Sequence, residues 1–298
     1  MTSRQALKTN KRTLYASILL GATLFSGLCA QAYAQADRFA NVQVSAEKVA
    51  DSVYMLVGSG GNIGASVGQD GLLIIDDQYA PLAEKIATTL SGLTEESAKY
   101  VINTHYHGDH TGSNAFFAEN QGATIFAHDN VRIRLASNEE VAKSALPVVT
   151  YDTGIKFHFN GDTIHVFHLS DAHTDGDSAI YFEKANVLHT GDLMFNAMFP
   201  YVDLNGGGDV KGYIAASQAM LDMINDNTKV IPGHGPLASK ADLQKSMDMI
   251  KETYAFVQAK KKAGMSEEQV LAEGLDEKWA SWSWRFITEE FWIKTLYQ

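Results

Sequence analysis

Short apolar runs alternate with polar or Gly-containing breaks along most of the chain. The stretch "FANVQVSAEKVADSVYMLVG" alternates and ends in Gly58, a strand pattern. "NIGASVGQDGLLIIDD" reads as a hairpin turning at Gly68-Gln69-Asp70-Gly71, with Leu72 to Ile75 as its second strand. "APLAEKIATTLSGL" has helical spacing, with Pro81 near its start. "AKYVINT" predicts a short buried strand, "NAFFAEN" a short helix and "ATIFAH" another strand. "DNVRIRLASNEEVAK" predicts a helix capped by Asp129 or Asn130.

The second half repeats the plan. "IKFHFNGDTIHVFHLS" predicts a hairpin at Asn160-Gly161, a strong short-range turn signal. "SAIYFEKANVLHTGD" predicts two more strands, "VKGYIAASQAMLDMIND" a helix, and "TKVIPGHG" a strand running into a loop. "ASKADLQKSMDMIKETYAFVQAKKKAG" predicts a long amphipathic helix. Two blocks, each β-rich first and helical later, predict an α/β fold: an αββα sandwich of two mixed β-sheets with helices outside. No linker separates the blocks, so residues 35–298 read as one domain. The stretch from about 265 to 298 holds all four tryptophans, Trp279, Trp282, Trp284 and Trp292. It predicts a C-terminal helical cap that buries its aromatics on the core.

Residues 1–34 follow a different pattern. Arg4, Lys8, Lys11 and Arg12 precede the apolar run "LYASILLGATLFSGLCA", and Ala32-Tyr33-Ala34 follows. That is the order of a secretory signal peptide cleaved after Ala34. The run is short for a bilayer-spanning helix of about 20 residues. The expectation is a periplasmic or secreted chain with no stable membrane anchor after cleavage. Removing four basic residues leaves 20 Lys and Arg against 35 Asp and Glu, about −15 in net charge. An acidic body repels phosphate backbones, which argues against a nucleic-acid partner. The single cysteine, Cys29, lies in the leader. The remainder therefore has no disulfide, no thiolate metal ligand and no cysteine nucleophile.

The candidate chemistry lies where apolar strands give way to loops. In "THYHGDH", His105, His107, Asp109 and His110 fall within six positions. Imidazoles and carboxylates are the usual protein ligands of zinc and similar metals. In an extended loop, residues two apart point the same way, so His105 and His107 can grip one metal. Past Gly108, Asp109 and His110 can turn toward a second. His173 in "SDAHTDGDS", Asp192 in "HTGD" and His234 in "IPGHGP" sit at further strand ends and can converge on the same edge. His158, His165 and His168 fall within strands, and His128 starts a helix. His189, three residues before Asp192, is a candidate supporting residue behind the ligands.

"THYHGDH", "AHTDGDS", "TGD" and "PGHG", in this order, resemble the ligand motifs of the metallo-β-lactamase superfamily of binuclear metallohydrolases over about residues 45 to 240. The resemblance implies that His105, His107 and His173 hold one metal and that Asp109, His110 and His234 hold the other. Asp192 then bridges the two. It implies two zinc ions per chain, with iron or manganese possible. A metal-bridging hydroxide, oriented by the catalytic Asp109, would attack the carbonyl of a small-molecule lactam, lactone, ester or thioester. Without cysteine and with the "TGD" aspartate, the ligand set looks more like glyoxalase II enzymes and lactonases than like true β-lactamases. Two other readings stand beside it: a mononuclear iron persulfide dioxygenase-like enzyme, and a non-enzymatic metal-binding protein. Gly58 to Asn62 and Phe195 to Asp209 are expected to flank the metals. Phe195, Met198, Phe199 and Tyr201 are candidates for an apolar pocket, and Tyr106 for a residue facing the substrate.

Overall fold

The computed structural model describes residues 38–298. The expected leader, residues 1–34, lies outside the described residues. Residues 38–42 group apart from the body, which runs from Gln43 to Gln298. The architecture below is that of the body.

Two sheets face each other. The first has seven strands in chain order: β1 (Ser45–Ala50), β2 (Val53–Val57), β3 (Ile63–Gly68), β4 (Gly71–Ile75), β5 (Ala98–Ile102), β6 (Thr124–His128) and β7 (Val149–Tyr151). Its first four strands pair antiparallel and its last four parallel. The second sheet contains β8 (Gly154–Phe159), β9 (Asp162–His168), β10 (Ser178–Phe182), β11 (Val187–Phe195), β12 (Lys229–His234) and β13 (Ala238–Ser239), in the order β13-β12-β11-β10-β9-β8. Only β11 and β12 pair parallel there. The inner faces meet through Val53, Met55, Ile75 and Ile102 on one side and Ile164, Ile180, Phe182 and Ile231 on the other. Each such buried side chain contributes about 1.5–3 kcal/mol relative to exposure.

The helices are α1 (Ala83–Ser91), α2 (Gly108–Thr111), α3 (Asn114–Gln121), α4 (Asp129–Ala136), α5 (Val210–Met223), α6 (Lys240–Lys262), α7 (Glu267–Glu273) and α8 (Glu289–Tyr297), and they flank the sheets, with the short α2 at the sandwich edge. A second core forms where α5, α6 and α8 pack on the outer face of the second sheet through Met220, Leu243, Ile250 and Trp292. Among the described residues, no helix is long and apolar enough to cross a membrane.

The α/β sandwich with helices outside is as expected. Two local expectations differ. The helix expected from Asp129 to Lys143 ends at Ala136, because Asn138 turns its side chain back to the Glu140 N–H at 3.0 Å and competes with the helical pattern. Its cap is neither Asp129 nor Asn130 but His128, whose Nδ1 accepts from the Asn130 N–H. In the C-terminal region, Trp279, Trp282 and Trp292 are buried as expected, whereas Trp284 is half-buried and turns elsewhere.

Candidate metal centre

Seven side chains meet at one edge of the sandwich. β5 runs into Thr104 and His105; His107 is still extended; α2 then begins, placing Asp109 and His110 on a helical turn. His173 lies in the loop after β9, and His234 ends β12. Asp192 sits differently from its expected loop position. It is inside β11, which continues to Phe195 through an irregular register at Gly191.

Hydrogen bonds behind the histidines decide which nitrogen faces the cluster. Thr104 Oγ1 spends its hydrogen on Asp76 Oδ2 at 2.7 Å, so it accepts from His105 Nδ1 at 3.0 Å. His107 Nε2 donates to Asp203 Oδ2 at 3.0 Å. His173 Nδ1 donates to the Tyr201 carbonyl at 2.7 Å, and His110 Nδ1 donates to Asp76 Oδ2 at 2.7 Å. These partners leave lone pairs on His105 Nε2, His107 Nδ1 and His173 Nε2. The three converge, with His107 Nδ1 3.1 Å from His105 Nε2 and 2.9 Å from His173 Nε2. Three lone pairs at that spacing repel unless a cation lies among them. His110 Nε2 and Asp192 Oδ1 are also buried without a hydrogen-bond partner, although buried polar atoms are nearly always satisfied.

The donors fall into two groups, His105, His107, His173 and Asp192, and Asp109, His110 and His234. Asp192 faces both. Its Oδ2 is 3.4 Å from His173 Nε2 and 3.8 Å from His105 Nε2, while its Oδ1 is 3.1 Å from His110 Nε2 and 3.4 Å from His234 Nε2. Asp109 Oδ2 lies 3.4 Å from His234 Nε2 and 3.8 Å from His110 Nε2. This all-nitrogen-and-oxygen donor set fits divalent-cation binding.

Protonation follows the same geometry. Burial pushes the His105 imidazole well down and that of His173 down to about 4, so both stay neutral donors at neutral pH. For His110 burial acts the same way, but the charges of Asp192 and Asp109 outweigh it and hold the ring well above its ordinary value. His234 is raised to about 9; burial opposes this, but the Asp192 charge and the Asp109 contact outweigh it. The carboxylates respond in kind. Burial alone would raise Asp192 and Asp109, yet the surrounding histidines hold both below the usual range. The carboxylates thus call for positive charge beside His110 and His234, which a divalent cation bound there would supply.

Two anchoring carboxylates stand behind the ligands and were not singled out from the sequence. Asp76 is fully buried and also accepts the Thr104 N–H at 2.7 Å. Its signal is an acid pair closing the apolar strand "LLIIDD". Asp203 is the only acid in "FPYVDLNGGG". Hydrogen bonds from His107, Tyr106 and the Gly206 N–H hold it below the usual carboxylate range against burial. The Tyr106 hydroxyl donates to the same Asp203 oxygen as His107 Nε2.

The Gly58–Asn62 loop lies on the cluster. A Cβ on Gly61 would stand 2.1 Å from His110 Cε1, and one on Gly233 2.1 Å from Asp192 Oδ1. Asn62 Nδ2 donates to the carbonyls of Pro232 and Gly235, which flank His234. His189 reaches no ligand. It donates to the Asn62 carbonyl at 3.2 Å and so supports this loop from behind. Of the apolar candidates, Phe195 stacks on His234 at 4.9 Å between ring centroids, and Tyr201 lies 5.7 Å from His107. Phe199 instead belongs to the core, stacked on Trp292. His128 and His168 stack on each other at 3.7 Å, and His165 pairs with Glu183 at 2.8 Å.

Residues 68–234, more than half of the chain, match the sequence profile of the metallo-beta-lactamase superfamily. The chain belongs to that family. A hydroxyacylglutathione hydrolase of Polaromonas sp. is 32% identical over 142 residues, which are 45% of this chain and 47% of that one. A metallo-beta-lactamase type 2 of Bacillus sp. (strain 170) is 22% identical over 185 residues, 61% of this chain and 69% of its own. The chain thus spans about half the length of the hydroxyacylglutathione hydrolase. The solved structure of a metallo-beta-lactamase from Pontibacter korlensis has the same fold, with a TM-score of 0.62 at 20% identity over 70% of this chain and 99% of that one.

Proposed function

We propose that this chain is a zinc-dependent hydrolase that opens the carbonyl of a lactone, ester, thioester or lactam, and that its leader directs it to the periplasm or beyond. The observation that carries this reading is the set of converging lone pairs on His105, His107 and His173, with Asp192 turning one oxygen to each donor group. His105, His107 and His173 would hold one zinc, Asp109, His110 and His234 the other, and Asp192 both. Bound there, a zinc pair supplies a water that ionises near neutral pH and polarises a carbonyl.

The chain's own residues do the rest. Asp76 and Asp203 lock the rings of His110 and His107 so that one nitrogen of each stays aimed inward. Asp109 is held ionised and is a fifth exposed; with Oδ2 turned to His234, its other oxygen can accept a hydrogen bond from a water and orient it. Gly61, without a side chain, lets its loop pass directly against the His110 ring. No serine or cysteine nucleophile is required. The hydroxyacylglutathione hydrolase relative supports thioester chemistry and the metallo-beta-lactamase relative supports lactam chemistry.

The test is metal content measured together with turnover. The chain from Gln35 onward should retain about two zinc per molecule and show chelator-sensitive hydrolysis of a lactone, a thioester or a chromogenic β-lactam. About one iron per chain with oxygen uptake and no hydrolysis would replace this assignment with an oxygenase.

A further inference from the structure

Two ladders of aromatic rings run from the donor histidines to the surface. In the first, the Trp284 ring lies 6.0 Å from His234 and 5.9 Å from Phe195, and Phe286 follows 5.2 Å beyond Trp284. In the second, Tyr201 lies 5.7 Å from His107 and 5.8 Å from His173, and Phe291 follows 6.1 Å beyond Tyr201. Both outer rings are open to solvent, Phe286 at 57% and Phe291 at 40%. A single exposed aromatic is ordinary; here two exposed rings each connect, ring by ring, to one polar centre.

The ladders are held in place. Trp284 Nε1 donates to the Phe199 carbonyl at 2.9 Å, and the Phe199 N–H donates to the Trp282 carbonyl at 2.9 Å. The strap carrying Trp284 is therefore tied on both sides to the loop that follows β11. Trp284, Phe286 and Phe291 all lie outside residues 68–234, the part matched by the family profile. The strap has one basic side chain, Arg285, which lies 5.5 Å over the Phe286 ring, and two acids, Glu289 and Glu290. Such a surface is suited to hydrocarbon and poorly suited to a substrate tail rich in carboxylates.

We infer that these ladders select the substrate: the site takes carbonyl compounds with a medium-chain or aryl acyl group, which lies along Trp284, Phe286 and Phe291 while its carbonyl faces the histidines. This rests on the hydrolase reading above and names its substrate class.

The zinc-loaded chain is assayed with p-nitrophenyl acetate and p-nitrophenyl octanoate, which share a leaving group. Octanoate binding to the metal-free chain is followed by calorimetry. Each buried methylene is worth several-fold, so the wild type is expected to favour the octanoyl ester by about tenfold or more in kcat/KM. Phe286→Ala with Phe291→Ala, both at exposed positions, is expected to raise KM for the octanoyl ester and lower that preference by about tenfold. Zinc content and Tm should not change. Octanoate should bind this variant about fivefold more weakly than the wild type. Trp284→Phe should keep most of the preference and Trp284→Ala should lose it. Equal use of both esters by wild type and variants would overturn the ladders and leave the hydrolase standing. A zinc-loaded chain that hydrolyses no ester, lactone, thioester or lactam would overturn the hydrolase and its substrate class together.

Discussion

Asp203 accepts the Nε2 hydrogen of His107 at 3.0 Å across 96 positions of sequence, and so determines that Nδ1 of that ring faces the donor cluster. The Tyr106 hydroxyl donates to the same oxygen. Asp203→Asn leaves the size unchanged but removes the charge that fixes the tautomer. Zinc affinity, measured by chelator competition, is expected to fall about 10–100-fold. Tyr106→Phe should have a smaller effect in the same direction. An Asp203→Asn affinity equal to wild type would remove this carboxylate from the centre.

Asp76 serves three donors from a fully buried position: the Thr104 N–H, the Thr104 hydroxyl and His110 Nδ1. Removing one partner of such a buried network leaves the others unpaired. Asp76→Ala is expected to lower unfolding free energy by about 3–5 kcal/mol in denaturant melts, and to reduce zinc content. A loss below about 1 kcal/mol would mean that water replaces the carboxylate without penalty.

Gly61 is a steric requirement of the centre. Any Cβ there meets the His110 ring, with its nearest atom 2.1 Å away. Gly61→Ala should displace His110 or the loop, and zinc content per chain should fall below that of the wild type under the same dialysis. Full zinc retention would show that the Gly58–Asn62 loop yields freely.

His189 makes the pH dependence of stability testable without touching a ligand. It is buried as a neutral ring that donates to the Asn62 carbonyl and accepts from the Gly191 N–H. Burial holds its pKa down at about 4. The folded value is lower than the unfolded one, so the unfolded chain binds the proton more tightly. The stability this group contributes is present above about pH 6.5 and is lost as pH falls from there toward 4. In the metal-free chain, His189→Gln should reduce the drop in unfolding free energy between pH 7 and pH 4.5 by about 2 kcal/mol. Parallel pH profiles for the two proteins would contradict the assignment.

Trp292 anchors the C-terminal helix. Its side chain has no exposure, stacks on Phe199 and donates from Nε1 to Thr253 Oγ1 on α6 at 3.1 Å. Trp292→Ala is expected to lower unfolding free energy by about 3–5 kcal/mol. A thermal shift near zero would show that the helix docks by other contacts.

Much of the molecule was determined by the sequence itself. The Asn160-Gly161 hairpin, the long helix beginning at Lys240 and the short strands before each donor loop follow from turn chemistry and hydrophobic period, which act between near neighbours. The seven residues that meet at the sandwich edge were legible for a related reason: imidazoles and carboxylates beside apolar strands stand out against their surroundings. The tertiary structure decided the rest. Asp76 and Asp203 look like ordinary loop acids until the sandwich closes and brings them against histidines 34 and 96 positions away. Phe199 and Trp284 exchanged their expected roles, one going into the core and the other beside His234. An aromatic ring carries no mark of which apolar surface it will cover. That choice is made by long-range packing, in which non-directional burial is satisfied by whichever surface the closed fold presents.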